Sequence, residues 1–165
     1  MIAQLRVDDR LIHGQVALVW TKELNTPGII VANDNAASND MVQMTLKMAT
    51  PTGKKLLIRS VDDAIRVFNN PKAKTMRIFA LTNNVTDALK IAQAVPDIDG
   101  INVANVGRFA EDAKNAHQLS STIMLTDVEL ASLKELAALD VPVFNQVVPS
   151  NAKTPITSLL KNVDN

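Results

Sequence analysis

IAQLRVDDRLIHGQVALVWTKELNTPGIIVA, residues 2–32, is the stretch whose reading decides the fold. Residues 2–7 read as a short strand. Val16, Val19, Trp20 and Leu24 then recur at helical spacing. Residues 28–32, GIIVA, are a continuous run of the kind a strand shows when both of its faces are covered. Strand, helix and covered strand in succession mark a parallel sheet layered with helices.

The alternation runs outward to the end of the chain. Val42, Thr45, Leu46 and Ala49 form a helical stripe that Pro51 ends. Residues 54–59 are a strand, and Val61, Ala64, Ile65 and Phe68 a helix closed by Asn70 and Pro71. Residues 76–81 are a strand, and Val85, Ala88, Leu89 and Ala92 a helix ended by Pro96. Residues 100–104 are a strand, and 121–125 a shorter one. Thr126 or Asp127 caps a helix carrying Val128, Ala131 and Leu136. Residues 141–146 are a late strand, where Pro142 favours an edge position. Ile156, Leu159, Leu160 and Val163 give the last helix, with Pro155 at its first turn. The expectation is one α/β domain over residues 1–165, an open, mostly parallel twisted sheet of about six or seven strands with helices on both faces. No repeat or linker interrupts it, and residues 149–155 are the most loop-like segment.

Composition narrows the function classes. With 47% hydrophobic but only 3% aromatic residues, the core must be aliphatic. Seventeen basic residues balance seventeen acidic ones, which argues against bulk attraction to nucleic acid or an anionic bilayer. There is no cysteine, so disulfides and thiolate chemistry are excluded, as suits a cytoplasmic protein. No apolar run reaches the ~20 residues of a transmembrane helix, and the N-terminus is too short and too charged for a signal peptide. No direct membrane insertion is expected.

Open parallel sheets place ligands at the carboxyl ends of their strands. That rule selects residues 8–14, 33–38, 59–60, 82–84 and 105–109. The first is the most informative: Asp8, Asp9, Arg10, Leu11, Ile12, His13, Gly14, Gln15. A histidine stands just before a helix start, where free amides and the helix dipole favour an anion. Gly14 lets the backbone approach closely, and Arg10 offers a planar fork of donors for phosphate oxygens. Asp8 or Asp9 has the reach to orient an arginine or the imidazole. Neutral imidazole is a nucleophile near neutral pH. The bland reading, a polar loop histidine, is the commoner fate of such a residue. A receiver-domain reading needs an Asp after the third strand and a Lys after the fifth; Arg59 and Ala104-Asn105 stand there instead. No GxGxxG or GxxxxGK[ST] pattern occurs.

RVDDRLIHGQV, residues 6–16, closely resembles the signature around the phosphorylated histidine of mannose/fructose/sorbose-family IIB components of the bacterial sugar phosphotransferase system. Residues 20–23 (WTKE), 29–34 (IIVAND), 66–71 (RVFNNP) and 100–107 (GINVANVG) also resemble that family, except that Ala104-Asn105 stands where a Gly-Gly is frequent. The resemblance implies that His13 accepts a phosphoryl group on Nδ1 from a phosphorylated IIA protein and passes it to a sugar entering through a IIC/IID permease. It implies no nucleotide, metal or organic cofactor. Discrimination among mannose, fructose, sorbose and N-acetylgalactosamine is expected mainly in the permease. Arg10 is the first choice for contacting phosphoryl oxygens. Arg6 has two readings, a phosphate contact or a structural charge paired with Asp8 or Asp9. Gly14 and Gln15 are expected to supply backbone amides, and Asp9 to orient the loop. A relay histidine must be reachable, so His13 is expected on an exposed loop, and the protein is expected in the cytoplasm, peripherally associated with the membrane permease.

Other residues carry blander expectations. His117 reads as a surface histidine, Trp20 as core, and Met41, Met44 and Met48 as packing. Arg59, Asp34, Asn83 and Arg108 are rim residues. The competing functional reading is a non-catalytic regulatory or small-molecule-binding module on a flavodoxin-like scaffold.

Overall fold

A computed structural model describes residues 1–108 and 115–163. Phe109, the end of the fifth-strand loop, lies outside the described residues. The first unit is β1 (Ile2–Asp8), α1 (Val16–Leu24) and β2 (Gly28–Ala32). There follow α2 (Asp34–Ser38), α3 (Asp40–Ala49), β3 (Lys55–Arg59), α4 (Val61–Phe68), β4 (Ile78–Thr82), α5 (Val85–Ala94) and β5 (Ile101–Asn105). The remainder is β6 (His117–Ser120), β7 (Ile123–Leu125), α6 (Asp127–Ala137), β8 (Val143–Asn145), β9 (Thr154–Pro155) and α7 (Ile156–Leu160).

The main sheet has seven strands in the order β3-β2-β4-β1-β5-β8-β9. All neighbours pair in parallel except β8 and β9, which are antiparallel. Each central strand is a short apolar run, so both faces need cover. On one face α4 to α7 supply Ala64, Phe68, Ala88, Ile91, Leu133, Leu136 and Ile156 against Leu5, Val7 and Val103. On the other, α1 to α3 supply Trp20, Ala36 and Leu46 against Ile29, Val31, Phe79 and Leu81. Helix starts follow the local chemistry. Asn33, Asn39, Ser60, Asn84 and Thr126 each accept a bond from an amide of the first turn. Gln15 before α1 makes no such bond.

The short strand expected at residues 121–125 is present but lies outside the main sheet, and two other expectations need correction. Ile123–Leu125 pairs with β6 in a separate two-stranded ribbon, joined to the fifth-strand loop by a bridge between Val106 and Ile123. Pro142 does not mark an edge strand. β8 starts one residue later and is flanked by β9, while the Pro142 carbonyl, which proline retains, accepts from the Ile101 amide at 2.9 Å. The methionines do not pack: Met41, Met44 and Met48 are 81%, 64% and 82% exposed. At 3.6 residues per turn, Val42, Leu46 and Ala49 take the inner side of α3 and turn the methionines outward.

Two glycines with positive φ contrast in their surroundings. A Cβ on Gly107 (φ +93°) would meet the Met124 carbonyl oxygen at 2.1 Å, whereas one on Gly14 (φ +50°) would meet nothing within 4 Å. Gly107→Ala should therefore destabilise the protein by more than about 2 kcal/mol, and Gly14→Ala by only about 1 kcal/mol of backbone strain. Urea unfolding midpoints at constant slope check the ranking.

Candidate phosphoryl site at the end of the first strand

β1 is buried along its whole length, yet every second side chain is polar: Gln4, Arg6 and Asp8. Alternation sends Leu5 and Val7 into the core under α4 to α7 and leaves the polar set on the opposite face. There the set is satisfied internally. Gln4 Oε1 accepts from Asn102 Nδ2 at 3.2 Å, and Asn102 Nδ2 also donates to the Gln146 carbonyl at 2.7 Å. Arg6, with no exposed side-chain surface, donates from Nε and Nη2 to Asp8 Oδ2 at 3.3 and 3.1 Å. Its Nη1 donates to the Val147 carbonyl at 3.0 Å.

Asp8 is the hub. Its Oδ2 also accepts from His13 Nε2 at 3.0 Å and from Asn105 Nδ2 at 3.2 Å, and its Oδ1 accepts from the Arg10 amide at 3.1 Å. Burial alone would push this carboxyl up; the hydrogen bond from His13 and the charge of Arg6 outweigh it and hold the group below its usual value. An ionised carboxylate only accepts, so His13 Nε2 carries a proton, and in the neutral imidazole the lone pair is then on Nδ1. Nδ1 has no hydrogen-bond partner among the described residues.

The loop that carries His13 is bent by two left-handed residues, Leu11 (φ 58°) and Gly14 (φ 50°). Leucine rarely adopts that conformation; Leu11 is held in it by burial of its side chain beside Ile12 and by its amide bond to the Asp8 carbonyl at 2.9 Å. Gly14 is required for its backbone angle and not for close approach, since open space surrounds the position of a Cβ. His13 is less exposed than a relay loop suggests. Its side chain keeps 16% of its surface, because Nε2 reaches down to Asp8.

The remaining candidates separate clearly. Arg10 is exposed, and its guanidinium has no hydrogen-bond or ion-pair partner among the described residues. Asp9 Oδ2 accepts from the Arg108 amide at 3.0 Å, while Oδ1 is buried without a partner among the described residues, and burial pushes this carboxyl up. Gly14 and Gln15 are exposed just before α1. Asp9, Arg10, Asn33, Asn83 and Met41 line an open cleft of about 420 Å³ beside the loop. Asp34 accepts from the Val61 amide at 2.9 Å, and Arg59 donates to the Ile58 carbonyl, so neither belongs to this set. His117 pairs with Asp127 at 2.6 Å on the surface.

Sequence reasoning missed Asn105, Gln4, Asn102 and the Val147 carbonyl. The first three had a legible signal, since an amide side chain within or at the end of a strand read as buried must find a partner. A backbone carbonyl from a loop more than a hundred residues away leaves no such trace.

The family model for the sorbose-subfamily IIB component of the phosphotransferase system matches residues 2–165. The chain is 55% identical over 162 residues to a probable phosphotransferase enzyme IIB component of Streptococcus pyogenes, covering 97% of this chain and 99% of that protein. It is 32% identical to the sorbose-specific EIIB component of Lacticaseibacillus casei, covering 99% and 96%. The crystal structure of the IIB domain of the Klebsiella pneumoniae sorbose permease superposes with a TM-score of 0.88 at 29% identity, covering 98% of this chain and 97% of that one. With a polar loop at the end of β1, a sheet shared with these structures and a match over nearly its full length, the chain belongs to the sorbose subfamily of phosphotransferase-system IIB components.

Proposed function

We propose that His13 is the phosphoryl acceptor of this IIB component and that Nδ1 is the atom that carries the group. The observation behind this reading is the bond from His13 Nε2 to Asp8, which leaves Nδ1 as the ring's lone pair on a partly exposed side chain. In the first step the P–N bond of a phosphohistidine on a IIA protein breaks as a P–Nδ1 bond forms on His13. In the second, a sugar hydroxyl oxygen attacks phosphorus, the P–Nδ1 bond breaks with its electron pair returning to Nδ1, and the hydroxyl proton passes to water. Such transfer depends on positioning and on neutralising charge over the phosphoryl oxygens. Arg10, whose guanidinium is unengaged among the described residues, supplies that charge. The amides around Gly14 and Gln15 add donors, because α1 starts without a side-chain cap. Arg6 takes no direct part; it is buried against Asp8.

This reading brings partners with it: a phosphorylated IIA protein before His13, and a IIC/IID permease with its sugar after it. It places the chain in the cytoplasm against that permease. No described helix is long and apolar enough to cross a membrane. A non-catalytic module on the same scaffold is disfavoured, because such a module has no use for a histidine oriented by a buried carboxylate.

Three outcomes test the reading. Incubation with phosphoenolpyruvate, the general phosphotransferase proteins and a matching IIA protein should load one acid-labile phosphoryl group, absent from His13→Ala; label persisting in that variant sinks the assignment. Arg10→Ala should slow transfer more than about tenfold, roughly the loss of one charge-assisted contact. Because Arg10 is exposed, its unfolding midpoint should stay within about 0.5 kcal/mol of the parent. The third concerns Asp8. Its folded pKa lies below the unfolded value of ~3.9, so it contributes stability above that pH and loses it as pH falls through the folded value. Asp9, shifted the other way, partly offsets this. Asp8→Asn should cost about 3–5 kcal/mol at pH 7 by leaving Arg6 buried and unpaired, and should flatten the acid side of the stability curve, measured by denaturant titration from pH 7 to 3.

A further inference from the structure

We infer that Trp20 and the loop of residues 146–151 are positioning elements for His13, acting through Arg6 and Asp8 to present one ring nitrogen and withhold the other. The inference deepens the phosphocarrier reading and rests on it for its consequence, but its first measurement needs no phosphoryl group.

Two distant donors meet on one atom. The Val147 carbonyl oxygen accepts from Arg6 Nη1 at 3.0 Å and from Trp20 Nε1 at 3.0 Å. The Arg6 guanidinium carbon lies 5.7 Å from the centroid of the Trp20 ring. Trp20 is 2% exposed and Arg6 fully buried, so both donors approach the half-buried Val147 from inside the protein. From Arg6 the chain of contacts continues to Asp8 Oδ2 and from there to His13 Nε2. A guanidinium is a flat fork with fixed donor directions. Pinning Nη1 on Val147 therefore fixes where Nε and Nη2 point, and with them the oxygen that His13 faces.

The carbonyl is itself held. The Gln146 amide donates to Asn102 Oδ1 at 3.0 Å, and Asn102 Nδ2 returns a bond to the Gln146 carbonyl. Gln146 Nε2 donates to the Pro149 and Asn151 carbonyls at 3.2 and 2.8 Å. The Asn151 amide donates to the Val148 carbonyl at 3.0 Å, and the Val148 amide to Asn151 Oδ1 at 3.3 Å. The loop is thus closed on itself and laced to β5 on one side of Val147.

Residues 9–15 hang between β1 and α1. The strand before them is tied to the Val147 carbonyl through Arg6, and the helix after them through Trp20. Both ends of the histidine loop are referred to a single oxygen. If that reference loosens, Asp8 Oδ2 shifts away from Nε2, and the carboxylate no longer holds the ring proton there against the Nδ1–H tautomer.

The test reads the tautomer of His13 in the unphosphorylated protein by long-range ¹H–¹⁵N correlation, with His117→Gln to assign the two rings. The parent should show the Nε2–H form predominantly. In Trp20→Phe, which keeps the ring but not the donor, and in Gln146→Leu, which frees the far side of the loop, the Nδ1–H share should rise at least threefold. Phosphoryl transfer should fall by about tenfold while thermal unfolding stays cooperative. A purely structural role would lower the melting temperature and leave the tautomer ratio in place, and that result in a folded variant overturns the inference. If Trp20→Phe does not fold, Gln146→Leu decides. Absence of phosphorylation on His13 in the parent would overturn the proposed function and leave the tautomer measurement standing by itself.

Discussion

A guanidinium buried without any solvent contact depends on the carboxylate two residues along the same strand. Arg6 and Asp8 both point to the face of β1 that carries no apolar side chain, and each has lost its hydration entirely. Charge burial of this kind is tolerable only when every donor and lone pair is answered. Arg6 approaches that condition with an acceptor for each of its three nitrogens, Asp8 for Nε and Nη2 and the Val147 carbonyl for Nη1, and with the Trp20 ring alongside. Asp8 meets it with Arg6, His13, Asn105 and the Arg10 amide. The pair thereby recruits a helix, one further strand and a late loop into one arrangement, and the histidine is one of its terms.

β1 separates two kinds of interior. One face is aliphatic and packs like any covered parallel strand. The other is a hydrogen-bonded lattice of Gln4, Arg6, Asp8, Asn102 and Gln146. Apolar contact tolerates small slides, whereas a lattice of directional bonds does not, since a displaced donor leaves an orphaned group. A site that must offer a particular atom is better built on the second kind of interior.

The layered fold was legible because its signals are local and repeat: apolar runs, helical stripes and prolines that end them. The loop of residues 8–15 stood out for the same reason, with acidic, basic and imidazole groups adjacent in sequence at a strand's end. What escaped is non-local. Nothing in residues 117–120 announces a strand, because a short polar segment pairs only when a partner such as Ile123–Leu125 is brought alongside. The methionines of α3 misled because their hydrophobicity was read without their phase relative to Val42 and Leu46. Which carboxylate Arg6 would choose could not be settled in sequence, since Asp8 and Asp9 are neighbours and only strand alternation puts Asp8 on its face.

The borders of the sheet constrain how any other molecule can meet this chain. One border is β9, two residues long and ending in Pro155, which has no amide hydrogen to offer. The other is β3, five residues begun by Lys55 and closed by Arg59, with Lys54 just before it. Short, prolyl or cationic margins refuse an added strand. A visitor to this protein is thus denied backbone-to-backbone pairing and must engage it through side chains and loop ends. Those are surfaces where contact can be made and released quickly, as a carrier that serves a giver and a taker in turn requires.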